Sequence, residues 1–222
     1  ALFLAACAVQ ALACARLPDT RPPARPAAGP RLPSAPLIRR LAALFALDSF
    51  AGGFVLQSLV AYYLHVRFAL GPGTLGGVFF AAQLVTAASL LLAAPAARRF
   101  GLLPTMVVSH LVSNVFLVAI AAAPSAAIAV ALLLARQLLS QIDVPTRQAY
   151  VMAVVEDHER EAAASVTNLA RTLAQAVSPA VTGWIMQAVA LSVPFVLGGG
   201  LKIVYDLMLY WTFKDVKPPE RS

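Results

Sequence analysis

The chain alternates long apolar runs with short polar punctuation, and the runs have the length of membrane-crossing helices. Six are legible, at residues 41–66, 74–97, 102–122, 126–155, 161–190 and 193–213, each near or above the ~20 residues that a helix needs to cross a bilayer. Turn signals separate them: Gly71-Pro72-Gly73, Arg98-Arg99 with Gly101, Pro124-Ser125, and the charged turn from Glu156 to Glu161. Residues 1–15 read as the tail of another span, too short here to cross alone. Residues 16–40 are rich in Pro and Arg with no apolar period, and read as a flexible or polyproline-like linker. Residues 214–222 form a polar tail.

Within this pattern the stretch Arg136–Gly183 stands apart. Arg136, Ser140, Asp143, Arg147 and Tyr150 recur at helical steps in the fourth run, and Asn168, Arg171, Gln175, Ser178 and Thr182 do so in the fifth. The amphipathicity is inverted: most of each helix is apolar and the narrow stripe is polar. A charge at the bilayer centre costs roughly 2.5–3.5 kcal/mol on insertion scales, so such a stripe is expected to face a bundle interior or a water-filled cavity. Pro145 is expected to kink the fourth span, and Pro179 with Gly183 would permit a bend or close packing in the fifth. Gly52-Gly53 would allow close helix approach in the first.

Composition agrees. The 222 residues are 60% hydrophobic and only 12% charged, against ~45–50% and ~25% in ordinary soluble domains; mean hydropathy is +0.78. Net charge is +7. Twelve of the 17 Lys and Arg residues fall in the linker, the tail and alternate turns, Arg67 alone falls in the opposite set of turns, and Arg136, Arg147, Arg171 and Lys202 fall inside spans. That asymmetry places the linker and the C-terminus in the cytoplasm by the positive-inside rule and argues against nucleic acid as the partner of the charge. Tyr62, Tyr63 and His65 read as an interfacial belt at the outer end, and Tyr210, Trp211 and Lys214 as one at the inner end. Cys7 and Cys14, seven apart on one helix and without other ligands nearby, read as packing residues; no metal or cofactor is expected. The chain opens inside an apolar segment without Met, and is expected to be part of a longer protein that lacks its N-terminal half here.

A helix tail, a basic loop and six spans together resemble the C-terminal half of a major facilitator superfamily transporter: the end of helix six, the central loop, and helices seven to twelve. The most similar parts are the Arg followed by small and polar residues in Ala135-Arg136-Gln137-Leu138-Leu139-Ser140-Gln141, the Glu159-Arg160 pair in the charged turn, and Ser178-Pro179-Ala180-Val181-Thr182-Gly183 as a degenerate Gly-Pro-x-x-Gly element. The second-to-third loop, Arg98-Arg99-Phe100-Gly101, lacks the acidic member of the usual Asp-Arg-x-Gly pattern. The resemblance implies an all-α integral membrane fold, a second six-helix half as partner, and a substrate near the midplane between halves. It implies that the first, second, fourth and fifth spans line the path, with the third and sixth as outer supports.

Candidate substrate-path or coupling residues are Asp48, Gln57, Gln83, Arg136, Ser140, Asn168, Arg171 and Gln175. Asp48 reads as a proton carrier if unpaired, or as an ionised strut if paired with an arginine. Asp143 with Arg147 and Lys202 with Asp206 have the spacing of i,i+4 ion pairs, and the first could also serve as a gate. His110 with Asn114 reads as helix–helix hydrogen bonding, with a proton relay as the alternative. The expected activity is secondary active transport of a small solute by alternating access, as proton-coupled efflux in a bacterial inner membrane; export and proton coupling follow from the resemblance. The alternatives are uptake of an organic anion, since four basic residues in spans face three acids, and a non-transporting receptor or assembly protein on the same scaffold. No enzymatic arrangement is legible.

Overall fold

A computed structural model describes residues 33–214. The expected helix tail 1–15, most of the expected linker and nearly all of the tail lie outside the described residues. Within them the chain forms helices α1 (Ala35–Gly52), α2 (Gln57–Phe68), α3 (Pro72–Phe100), α4 (Leu102–Ala121), α5 (Ala126–Ser140), α6 (Asp143–Val154), α7 (Arg160–Ala188) and α8 (Val193–Phe213), with 3₁₀ turns at Gly53–Val55 and Asp157–Glu159. The described fold is thus all-α, as expected. Five segments are long and apolar enough to cross a membrane: Ala35–Phe68, Pro72–Phe100, Leu102–Ala121, Ala126–Val154 and Val193–Phe213. Helix α7 has the length, at 29 residues, but its polar stripe keeps it out of that set.

The first span starts at Ala35, inside the stretch read as linker, because Ala35-Pro36 opens the helix; proline at a first helical position forfeits only an N–H that has no partner there. That span is not the single helix expected. It breaks after Gly52 through a 3₁₀ turn and the extended Leu56 before resuming as α2. The fourth span breaks at Gln141-Ile142, four residues before Pro145. Pro145 cannot donate to the Gln141 carbonyl, which instead accepts from the Val144 N–H at 3.3 Å. Pro179 stays inside α7. The carbonyl it would leave unpaired, that of Gln175, accepts from Ser178 Oγ at 3.2 Å, the repair that lets proline persist in a membrane helix.

Helix α7 packs along α1, and α4 lies against α8 on one side and α5 and α6 on the other. Small residues set the closest approaches. A Cβ on Gly53 would overlap the Ser178 side chain, and one on Gly199 would come within 2.5 Å of Val118; close backbone approach of this kind is how helices associate where lipid removes the hydrophobic drive. Space around Gly183 is open, so the close packing expected there is not made within the described residues. Two apolar clusters fill the bundle. One gathers Leu41, Phe45, Met106, Tyr205, Leu209 and Phe213 near the end where Arg39, Arg40, Arg98, Arg99 and Lys214 collect. The other gathers Tyr63, Leu64, Leu117, Ile120 and Phe195 toward the opposite end. Tyr63 belongs to this core, donating its hydroxyl to the Ile120 carbonyl at 3.2 Å, and is not the interfacial anchor expected; Tyr62 and Trp211 do face outward. Large apolar side chains such as Phe80, Leu84, Leu91, Leu169 and Leu173 are exposed, as suits a surface solvated by lipid.

Candidate functional site

Between the two apolar clusters lies a buried ionic cluster centred on Asp48. Helix α1 carries Asp48 in its last turns, four residues before Gly52, on the face turned inward. Its Oδ1 accepts from Lys202 Nζ of α8 at 2.5 Å and its Oδ2 from Arg147 Nη1 of α6 at 2.9 Å. The same Arg147 Nη1 lies 3.2 Å from Asp143 Oδ2, while its guanidinium stacks over the Phe45 ring at 5.4 Å. His110 of α4 sits between two acids. Its Nδ1 is 2.7 Å from Asp206 Oδ1 and its Nε2 is 3.7 Å from Asp48 Oδ1. A carboxylate can only accept, so an ionised Asp206 assigns the proton to Nδ1 and leaves Nε2 turned to Asp48. Asn114 donates to the second Asp206 oxygen at 2.9 Å. Two carboxylates, two cations and an imidazole are thereby joined across α1, α4, α6 and α8, with Asp143 attached through Arg147.

Lys202 and Asp206 do not form the i,i+4 pair expected of their spacing. Each finds a closer partner on another helix, Lys202 at Asp48 and Asp206 at His110 and Asn114. Asp143 and Arg147 do pair as expected. Helices α4 and α8, expected as outer supports, therefore supply four groups of the central cluster. Sequence reading gave His110 and Asn114 helix–helix hydrogen bonding without naming the partner, which stands more than ninety positions away.

The ligand atoms of Asp48, His110 and Asp143 lie within 4.8 Å of one another, a spacing that can suit a metal ion. Both Asp48 oxygens and Asp143 Oδ2 are already engaged by Lys202 and Arg147. Ammonium and guanidinium groups thus supply the positive charge that a metal would bring.

All eight path candidates line three adjoining cavities. A central one, of about 180 Å³, is bordered by Asp48, Arg136, Ser140, Arg171, Gln175 and Lys202. Arg136 also borders a 250 Å³ cavity with Gln57 and Gln83, and Arg171 borders a 470 Å³ cleft with Asn168. The two helix breaks adjoin this region, one just beyond Asp48 and the other between Ser140 and Asp143. The stripe on α7 is not uniformly wet. Ser178 and Thr182 are buried against α1, Thr182 donating to the Gly53 carbonyl at the break, whereas Asn168 and Gln175 are exposed. Arg171 bridges the two regimes through a 3.1 Å bond from Nε to Ser49 Oγ.

The charged turn holds a second feature. Glu159 is fully buried and its Oε1 accepts the Ser34 N–H at 3.0 Å, at the first turn of α1. Burial opposes the charge, but the bonds from Ser34, His158 nearby and the Glu156 turn hold the carboxyl below its ordinary range. Glu159 and Arg160 do not pair with each other: Arg160 donates to the Met152 carbonyl at 3.0 Å and meets Asp157 at 2.8 Å. In the Arg98–Gly101 loop, Arg99 stacks over Phe100, and Gly101 takes the left-handed φ of 89° that tightens the turn into α4.

Comparison with known proteins matches this arrangement to one family. The model described as Major Facilitator Superfamily aligns with residues 41–222. An uncharacterized membrane protein of Saccharomyces cerevisiae is 27% identical over 181 residues, which cover 81% of this chain and 40% of the yeast protein. The chain thus spans less than half the length of that curated relative. An all-helical bundle with membrane-length apolar helices, a charged interior and a family match over residues 41–222 lead to one conclusion: the chain belongs to the Major Facilitator Superfamily and is an integral, multi-pass membrane chain.

Proposed function

We propose that the protein carries a small solute across the bilayer by alternating access, in exchange for protons, with the Asp48 cluster as the coupling element. The observation that carries this reading is the cluster itself. Asp48, His110, Lys202, Arg147 and Asp206 come from four helices and meet beside a polar cavity. A structural core gains little from buried ions, since desolvation cancels much of their attraction. A carrier gains a set of charges whose pairing can change as solute and proton bind in turn.

Within the cluster His110 is the better coupling candidate than Asp48. Asp48 is engaged by the Lys202 amine on one oxygen and the Arg147 guanidinium on the other, which favours its role as an ionised strut. His110 stands between two carboxylates and can pass a proton between them by changing the ring nitrogen that bears it. Efflux as the direction and a cytoplasmic C-terminus are carried by the family resemblance and by the basic residues gathered at one end of the bundle. The relative being from yeast, the comparison lends no support to a bacterial inner membrane in particular. The other six helices expected of such a carrier would form the facing wall of the cavity.

The test is solute-dependent proton movement. The full-length protein, reconstituted with pyranine trapped in the vesicles, is challenged with panels of small acids, amines and neutral solutes under an imposed pH gradient. A solute that moves protons in the wild type, and fails to when His110 is replaced by Gln, supports the reading. Solute flux with no accompanying proton movement would remove coupling and leave transport. No flux for any panel member would favour a receptor on the same scaffold.

A further inference from the structure

The charges around the central cavity do not balance. Four cationic side chains, Arg136, Arg147, Arg171 and Lys202, border it together with two carboxylates, Asp48 and Asp143. The third buried acid of the cluster, Asp206, is engaged by His110 and Asn114. Lys202 and Arg147 claim Asp48 and Asp143. Arg136 and Arg171 are left with no carboxylate among the described residues. Arg136 donates only to the side-chain oxygen of its neighbour Gln137, and its Nε is buried with no acceptor. Arg171 donates to a serine hydroxyl. A guanidinium withdrawn from water calls for an anionic partner, and its planar fork fits a carboxylate with two parallel bonds.

Resting on the transport reading above, we propose that the transported solute is a small organic anion whose carboxylate is held between Arg136 and Arg171. The two arginines come from different spans, α5 and α7, and border the same cavity of about 180 Å³. Ser140 and Gln175 stand beside them as neutral groups able to hydrogen-bond the anion or the carbon frame it heads. The volume lies below the ~300 Å³ floor of drug-sized ligand sites and suits a carboxylate with a short substituent. The surplus of positive charge also raises the local concentration of anions over neutral or cationic solutes of the same shape. Asp48 and Asp143, already neutralised, do not repel the incoming charge as free carboxylates would.

The experiment is thermal unfolding of the full-length protein in detergent, titrated with matched sets of short-chain and aromatic acids, their primary amides and the corresponding amines. The expected result is a rise in Tm with at least one acid and none with its amide or amine. Arg136→Gln and Arg171→Gln should each raise the half-saturating acid concentration about tenfold or more, the scale of losing one charge-assisted bidentate contact. Arg136→Lys and Arg171→Lys should retain part of the effect, since they keep the charge and lose the fork; they also serve if a glutamine variant fails to fold. Protection by amides or amines equal to that by acids overturns the proposal. So does an acid response unchanged in all four variants. A complete lack of acid protection overturns it too, and would mean that carboxylates elsewhere in the full-length protein neutralise these arginines. Counterflow of labelled solute separates this inference from the transport reading. Arginine-dependent acid binding without flux sinks transport alone, whereas flux of a cation or neutral solute indifferent to both arginines sinks the anion proposal alone.

Discussion

Lys202 Nζ sits 2.5 Å from Asp48 Oδ1, a pair that joins the last described helix to the first across 154 positions of sequence. The lysine reaches it by running alongside Gly52, where a Cβ would stand 3.7 Å from Nζ, and it also donates to the Asp48 backbone carbonyl at 3.3 Å. The contact closes α1 onto α8 and holds the carboxylate in place for Arg147.

Removing one partner should cost more than removing both. Asp48→Asn leaves Lys202 and Arg147 short of a buried counter-charge and is expected to destabilise the protein by roughly 3–5 kcal/mol, whereas adding Lys202→Met should restore part of that loss. Thermal unfolding in detergent of the two single variants and the double variant gives the coupling. Losses that simply add would show that the two residues do not act as a pair.

His110 should control coupling more than folding. Replacing it with Gln preserves a hydrogen-bonding group beside Asp206 and Asn114 but removes the second ring nitrogen, the one turned to Asp48. Flux driven by a pH gradient should fall to the level seen without a gradient, while solute exchange at equal pH persists. Gradient-driven flux that survives in His110→Gln rules out the imidazole as the proton's route.

Glu159 should make stability acid-sensitive at one end of the bundle. Its folded pKa lies below the ordinary glutamate value, which is about 4.3. The stabilisation is therefore fully present above that value and is lost as pH falls through the lower folded one. Glu159→Ala should cost on the order of 1 kcal/mol at neutral pH, the scale of a lost helix cap. The gap between variant and wild type should shrink on acidification. A gap that is constant from neutral pH to below pH ~4 would mean that ionisation is not what anchors Ser34.

The close approaches at glycine should be intolerant of a single methyl. Gly53→Ala would strike Ser178, and Gly199→Ala would strike Val118 and crowd the Asn114 carbonyl; overpacking of this kind costs typically 1–3 kcal/mol. Gly200→Ala meets open space and should be neutral or slightly stabilising, given alanine's ~1 kcal/mol advantage within a helix. Yield and thermal stability of the three variants in detergent check the ranking. Equal behaviour would mean that the α1–α7 and α4–α8 approaches do not limit packing.

The parts of this molecule that were readable one residue after another are those set by local chemistry. Apolar length marked the spans, and α8 begins and ends where its run does. The i,i+4 spacing of Asp143 and Arg147 anticipated a real pair because both lie on one short helix. Pro145 anticipated the break in the fourth span, since a missing N–H disturbs the helix wherever that helix packs. The break after Gly52 was marked only by the Gly52-Gly53 pair, read as a place of close helix approach; Leu56 is an ordinary residue, and the Thr182 hydroxyl from α7 meets the Gly53 carbonyl there. Lys202 and Asp206 misled for a related reason. Spacing shows which side chains can meet along one helix, and is silent about a better partner on the next.

By itself the sequence determined that this chain lives in a membrane, roughly which stretches are apolar enough to cross it, and that a polar stripe must turn away from lipid, because the cost of water-loving groups in hydrocarbon is paid residue by residue. Only the tertiary structure decided that Asp48 is the hub, that α4 and α8 feed it, and that Arg136 and Arg171 are the cations left over. Charge pairing inside a low-dielectric bundle depends on distances of a few ångströms between helices, and those distances exist only once the helices are packed.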